Sequence, residues 1–283
     1  MWRRLLVPVI PLLLTACSEG EEGTRTIVAS VYPLAFAAEQ LTGPEWTVID
    51  LTPPGVEAHD LELSLDQRSA IEGAAVVLYV GELGFQPQVE AAVEEARGEV
   101  IEATLGGSLR LIDNDPHLWL DPIYLGHLAE TLATTLDELD PEREPNYLEG
   151  NGPLARRLFE LRDLFEETLG DCRYRTIIVS HEAYAYMTRG FELRQFGLTG
   201  LTPEAEPTAE RLAQARELID SGEAGAVFYE NHADAQRIAE AFAADAGVPA
   251  VPLSTLESRP AEGDYFTVME DNLESLREGL GCR

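Results

Sequence analysis

Three histidines, His59, His117 and His181, occupy the positions in this sequence best suited to chemistry. In Asn114-Asp115-Pro116-His117-Leu118-Trp119-Leu120-Asp121-Pro122 an imidazole stands between two prolines, immediately before a helix start. Asp121 suits the N-cap and Pro122 the first helical position, where a missing N–H costs nothing. The prolines leave the segment few conformations, which suits metal ligation or catalysis. His59 closes the turn-rich run Thr52-Pro53-Pro54-Gly55-Val56-Glu57-Ala58, and His181 follows the strand-like Thr176 to Val179. A lone loop histidine is ordinarily hydrogen-bonded or solvated. Three at matching places point instead to one shared site. Neutral imidazoles converging from separate loops suit a borderline-soft divalent ion, zinc above all, at about 2.0–2.1 Å, and suit magnesium or calcium poorly. His127, beside the apolar face of its helix, reads as a surface residue. His232, in Glu230-Asn231-His232, also follows a strand and is open to either reading, surface or cleft border.

The elements that must position these rings alternate between apolar strand-like runs and helical segments, the pattern of a mainly parallel sheet with covering helices. Strands are predicted at Thr26 to Val31, Thr47 to Leu51, Ala75 to Val80 and Glu99 to Ile101. Helices are predicted at Pro33 to Leu41, Asp66 to Glu72, Pro87 to Arg97 and Pro122 to Leu139. On the last of these, Leu125, Leu128, Leu132 and Leu136 recur at helical spacing and should be core. Pro141 to Leu169 reads as one long amphipathic helix, with an irregular turn around Asn151-Gly152-Pro153, that joins two halves. Beyond it strands at Thr176 to Val179, Arg194 to Phe196, Ala226 to Tyr229 and Ala250 to Leu253 repeat the count. The fold class is therefore α/β with two lobes, each a mainly parallel four-stranded sheet. Ligands in such sheets collect beyond the carboxyl ends of the strands, which is where all three histidines fall.

The 283 residues are 45% hydrophobic, enough for a sizeable core. All 20 basic residues are arginine, against 51 acidic ones, for a net charge of -31. That balance excludes a nucleic-acid partner and favours a cation. Met1-Trp2-Arg3-Arg4 followed by apolar Leu5 to Leu14 reads as a signal peptide over 1–16, too short to span a bilayer. Leu14-Thr15-Ala16-Cys17-Ser18 resembles the bacterial lipobox, which makes Cys17 a lipidation site and 17–25 a tether. Lipid chains, not electrostatics, would then hold the acidic protein to the outer face of the membrane. The domain reading continues with an N-terminal lobe over 26–140, a linking helix over 141–170 and a C-terminal lobe over 171–283. In an exported chain Cys172 and Cys282 lean toward a disulfide, two free thiols being the alternative.

Taken together, Pro53-Pro54-Gly55-Val56-Glu57-Ala58-His59, Asp115-Pro116-His117-Leu118-Trp119-Leu120-Asp121-Pro122, Val179-Ser180-His181-Glu182-Ala183-Tyr184-Ala185-Tyr186 and Pro203-Glu204-Ala205-Glu206-Pro207-Thr208 resemble a known family. It is that of the substrate-binding lipoproteins of zinc and manganese ABC transporters, and the likeness covers nearly the whole mature chain. The resemblance implies two α/β lobes joined by one rigid helix, metal held in the cleft between them, and His59, His117 and His181 as ligands. It implies as partners a membrane permease with its ATPase, a divalent metal and, through a lipid anchor, the membrane, for a monomeric protein in the cell envelope or periplasm. Manganese-preferring relatives carry a carboxylate where His181 stands, so zinc is the ligand implied and manganese or iron the alternative.

Two departures stand out. Where the family usually places a ligating Asp near the C-terminus, this chain reads Leu253-Ser254-Thr255-Leu256-Glu257, so the fourth position is open among water, Glu57, Glu230 and Glu257, with Ser254 as a water anchor. The histidine-rich loop of many zinc-type members is also missing between Gly84 and Asp115. Asp60, Asp115, Glu182 and Glu230 are candidates to orient the imidazoles, and Asp121 reads as a helix cap. Trp119 and Tyr184 are expected to pack behind the site. Three histidines plus water also describe a hydrolytic zinc, so a hydrolase or lyase is the reading from a different class. An adhesin is a third.

Overall fold

The computed structural model describes residues 25–81, 83–105, 111–143, 145–203, 205–230 and 232–283. The expected leader, and Cys17 with nearly all of the tether, lie outside the described residues. No helix among the described residues is long and apolar enough to cross a membrane.

The short runs Thr-Ile-Val-Ala, Val-Val-Leu-Tyr and Thr-Ile-Ile-Val are almost wholly buried, as strands covered on both faces must be. β1 (Thr26–Ala29), β2 (Thr47–Asp50), β3 (Val76–Tyr79) and β4 (Glu99–Glu102) form one parallel sheet in the order β2-β1-β3-β4. β5 (Thr176–Val179), β6 (Arg194–Gly197), β7 (Val227–Tyr229) and β8 (Ala250–Pro252) repeat it as β6-β5-β7-β8. In the central strands Val28 pairs with Ile49 and Val77, and Ile178 with Phe196 and Val227. The α/β class with two four-stranded lobes is thus as the sequence predicts. In each sheet the strand order reverses beside its first strand, and the crevice beyond the carboxyl ends of β1 and β3, or of β5 and β7, is where such sheets bind ligands.

Helices α1 (Tyr32–Leu41), α2 (Leu65–Gly73), α3 (Pro87–Val93) and α4 (Pro122–Leu139) belong to the first lobe. α2 starts at a reciprocal capping box between Ser64 and Gln67. α4 starts where Asp121 accepts the Ile123 N–H, with Pro122 just inside, and its predicted leucine stripe is buried. The connecting segment is shorter than predicted: α5 (Tyr147–Gly150) is a single turn capped by Asn146, and α6 (Gly152–Leu169) begins at the expected break. Pro153 cannot donate to a preceding turn, so a helix cannot run unbroken through it. α6 buries Leu154, Leu158, Leu161, Phe165 and Leu169 and packs on α4 and on α10 (Tyr265–Leu280). α7 (Ala185–Thr188), α8 (Ala209–Asp220) and α9 (Ala233–Ala246) complete the second lobe.

One hydrophobic cluster runs from Ile27 through Phe36, Trp119, Leu132 and Phe165 to Tyr265 and Leu276, so both lobes share a core behind the cleft. Smaller clusters fill the outer face of each sheet. Cys172 and Cys282 are joined sulfur to sulfur, tying the end of α10 to the start of the second lobe.

Candidate metal centre

The loops after β2, β4, β5 and β8 bring His59, His117, His181 and Glu257 together, each offering a donor atom, and these atoms lie within 4.8 Å of one another. His117 Nε2 is 3.1 Å from Glu257 Oε1 and 3.5 Å from His181 Nε2. His59 Nε2 is 3.8 Å from the same carboxylate oxygen. Donors around a tetrahedral zinc with bonds of about 2.0–2.1 Å stand about 3.3 Å apart, so little movement separates this cluster from a coordination shell. His117, His181 and Glu257 are buried, and His59 is nearly so.

Each ring is aimed by its own loop. Asp113 and Asn114 take left-handed backbone, which these residue types tolerate, and turn the chain so that Asp115 faces forward. Asp115 Oδ1 then accepts the His117 backbone N–H at 2.9 Å and meets Nδ1 at 2.7 Å. His181 Nδ1 is held by Glu230, which also accepts the Ser180 hydroxyl at 2.7 Å. A ring that donates from Nδ1 to a carboxylate presents the Nε2 lone pair to a metal. Among the described residues no carboxylate is recorded against His59 Nδ1; its ring stands edge-on to Phe85, centroids 4.6 Å apart, and its loop is pinned by the buried Gln86 amide, which donates to the Ala58 carbonyl at 3.3 Å and the Ser30 carbonyl at 3.2 Å. The Ala58 N–H donates to Glu257 Oε2 at 3.3 Å.

The electrostatics differ from ring to ring. Burial pushes the His59 imidazole down to about 4, with Glu257 offsetting only part of that cost. Burial acts the same way on His117, but the charge and hydrogen bond of Asp115, with Glu257 beside it, outweigh burial and hold it well above the ordinary imidazole range. Burial would raise Glu257, yet the His117 hydrogen bond and the charges of the three imidazoles hold it well below the usual carboxylate range. His59 Nε2 is buried without a hydrogen-bond partner, an orphan that a bound cation would satisfy. Three imidazoles and one carboxylate form a donor set fitting zinc.

Of the four readings for the remaining donor, Glu257 is the carboxylate that joins the three histidines. Glu230 stands behind His181, while Glu57 forms a second acidic group with Glu230 and Glu257. Ser254 serves its turn: its hydroxyl accepts the Leu256 N–H at 3.1 Å. Glu182 faces away and pairs with Arg211, and Asp121 caps α4 and meets Arg189 at 2.7 Å. Trp119 packs against His117, and the Tyr184 hydroxyl donates to the Leu253 carbonyl at 2.6 Å. Sequence reasoning missed Gln86. Its one signal is position: a polar side chain just before Pro87, in the turn after β3.

Beside His181 a cavity of about 450 Å³ opens between the lobes, bordered by Glu57, Asp60, Glu206, Glu230 and His232. His232 thus takes the cleft-border reading, and Pro203, Ala205, Glu206 and Pro207 also line the cavity. His127 is on the surface, its side chain 45% exposed.

Residues 27–279 match the family model described as zinc-uptake complex component A, periplasmic. The chain is similar to the zinc-binding lipoprotein AdcA of Streptococcus pneumoniae, 26% identical over an alignment of 302 positions that covers 97% of this chain and 60% of that protein. It therefore spans about three fifths of the length of these curated relatives. Among solved structures it is similar to the Zn(II)-bound ZnuA-like domain of S. pneumoniae AdcA, with 27% identity, a TM-score of 0.77, and 91% of this chain and 99% of that one covered. It is similar as well to the laminin-binding protein of Streptococcus agalactiae, described as a bifunctional protein with adhesin and metal transporting activity: 25% identity, TM-score 0.81, 90% and 99% covered.

Proposed function

The chain belongs to the family of zinc-uptake complex component A, periplasmic, and from that premise we propose that it captures Zn2+ in the cleft between its lobes and delivers it to a membrane ABC permease. His59, His117, His181 and Glu257 are the donors in this reading. The observation that carries it is the meeting of these four groups, from four separate loops, within 4.8 Å. Asp115 and Glu230 orient two of the rings. Three imidazoles favour zinc over manganese, whose sites are richer in oxygen.

The family is one of substrate-binding transport components, and the protein is read here as a carrier without catalysis. A hydrolytic zinc keeps a coordination position open for water. Glu257 closes that position, which argues against the hydrolase reading. The adhesin description is said of the streptococcal protein, and no residue of this site bears on it. The reading also includes export by the 1–16 leader, anchoring through Cys17 on the 17–25 tether, and a monomer built of lobes over 26–140 and 171–283 with the 141–170 segment between them.

Metal analysis of the purified protein and calorimetric titration test the proposal. One zinc per chain is expected, and His117→Ala should lose most of the affinity. Unchanged binding by that variant refutes the assignment. Carbon dioxide hydration and activated-ester cleavage no faster than with free zinc are the expected result for a carrier.

A further inference from the structure

The four donors do not divide two and two between the lobes. His181 is held entirely by its own half, through Glu230 and Ser180. Glu257 follows β8 in the C-terminal half, yet its attachments are to the N-terminal half. The Tyr32 N–H donates to its backbone carbonyl at 3.1 Å, the Ala58 N–H donates to its side chain, and His117 lies against Oε1. The neighbouring Thr255 carbonyl accepts the Trp119 indole N–H at 2.7 Å. Just before this point the chain is fastened to the opposite side. The Ser254 N–H donates to Asn272 Oδ1 at 2.7 Å, and the Leu253 N–H to the Tyr229 carbonyl at 2.7 Å. The changeover falls at residues 254–256, where Leu256 has φ 57°. A leucine enters that left-handed region only where its surroundings hold it there.

Arg259, two residues beyond Glu257, adds a further set of attachments to the N-terminal half. Its guanidinium donates to both carboxylate oxygens of Glu39 on α1, at 2.6 and 3.2 Å. Its Nε is 3.9 Å from Asp50 at the end of β2. Its Cζ stands 4.8 Å over the ring of Tyr32, the residue whose N–H holds the Glu257 carbonyl. A single exposed ion pair contributes little, but a bidentate pair, a second carboxylate and an aromatic face together fix a planar guanidinium in place.

We propose that Arg259 is the positioning residue of the metal site, clasping the 255–259 segment to the N-terminal lobe so that His59, His117 and Glu257 form a preassembled three-donor half-site. His181 is then the one donor carried by the other lobe. It meets the rest only ring to ring, and the 450 Å³ cavity flanks it. Opening the cleft withdraws His181 from an intact trio. The inference rests on the reading of Glu257 as a zinc donor.

The test is a set of zinc dissociation constants for the mature full-length protein, measured by competition with a fluorescent chelator. The variants are Arg259→Met, Glu257→Gln, His181→Ala and the two double variants with Arg259→Met. Arg259→Met is expected to weaken zinc binding about tenfold or more, to change nothing further in the Glu257→Gln background, and to keep its full factor in the His181→Ala background. A role in general stability would instead multiply with Glu257→Gln. Such multiplication, or Arg259→Met binding zinc like the parent while Glu257→Gln is weak, overturns the clasp. Glu257→Gln binding like the parent overturns the donor reading and the proposal with it. Should Arg259→Met fail to fold, Glu39→Gln replaces it: weakening that vanishes in the Glu257→Gln background supports the clasp, and unchanged affinity overturns it.

Discussion

At the scale of single residues, the same side chain is tuned in opposite directions within one cavity. Burial pushes His59 down to about 4, with Glu257 offsetting only part of that, so it meets a metal already neutral. His117 has Asp115 behind it and Glu257 in front, which hold its proton above neutral pH. Zinc must displace that proton, because only the neutral imidazole ligates. At pH 7.5 binding should therefore release about one proton from His117 and none from His59. The sign follows directly: affinity rises with pH through the neutral range, since the unbound protein carries the extra proton. Titration calorimetry in buffers of different ionisation enthalpy measures the release, and Asp115→Asn should shrink it by removing the group that holds the proton. A heat independent of buffer would sink this account of His117.

At the scale of elements, what the sequence made legible followed the cues that act locally. Period-two and period-3.6 patterns, prolines and caps located eight strands and the helices around them, including the α4 start at Asp121. The ends of those strands in turn placed three histidines on one edge. The sequence reading carries the connecting helix back to Pro141 because charged residues continue through 142–149, while the break depends on Asn146 capping its own turn. The fourth donor could not be chosen because Glu57, Glu230 and Glu257 all follow strands or turns, and only tertiary contacts separate the one that faces three rings from the one that stands behind His181. Gln86 was illegible for the same reason: its partners Ser30 and Ala58 lie far from it in sequence. Its amide is the link between the β3–α3 turn and the His59 loop. Gln86→Leu removes the amide's hydrogen bonds to two buried carbonyls, which keep the Thr52 hydroxyl and the Leu61 N–H as donors, and should cost about 0.5–1.5 kcal/mol of stability. It should also weaken zinc binding by loosening His59. Urea unfolding and a zinc titration on the same variant check both parts, and a Gln86→Leu protein as stable and as tight as the parent refutes the link.

At the scale of the whole molecule, stability and metal capture are built in different places. The shared core lies behind the cleft, through α4, α6 and α10, whereas the donors sit at loop ends in front of it. The Cys172–Cys282 bond belongs to the first category. It closes a span of 110 residues and fastens the last turn of α10 to the entrance of β5, where the Tyr174 N–H also donates to the Leu280 carbonyl at 3.1 Å. Closing a loop of that length restricts the unfolded chain by about 4–5 kcal/mol in the chain-entropy model, with about 2–5 kcal/mol typical of native bonds. The paired variant Cys172→Ser/Cys282→Ser should therefore unfold at lower denaturant, with a loss in that range. Hydrogen bonds from the two cysteines run to Leu169 and Arg277, at the far end of the shared core from the donors' loops, so the same variant should bind zinc with the parent affinity wherever it is folded. Equilibrium unfolding and zinc competition, run side by side, separate the two quantities. A disulfide-free protein that stays as stable but binds zinc more weakly would reverse the division, placing the C-terminal tie in the service of the cleft.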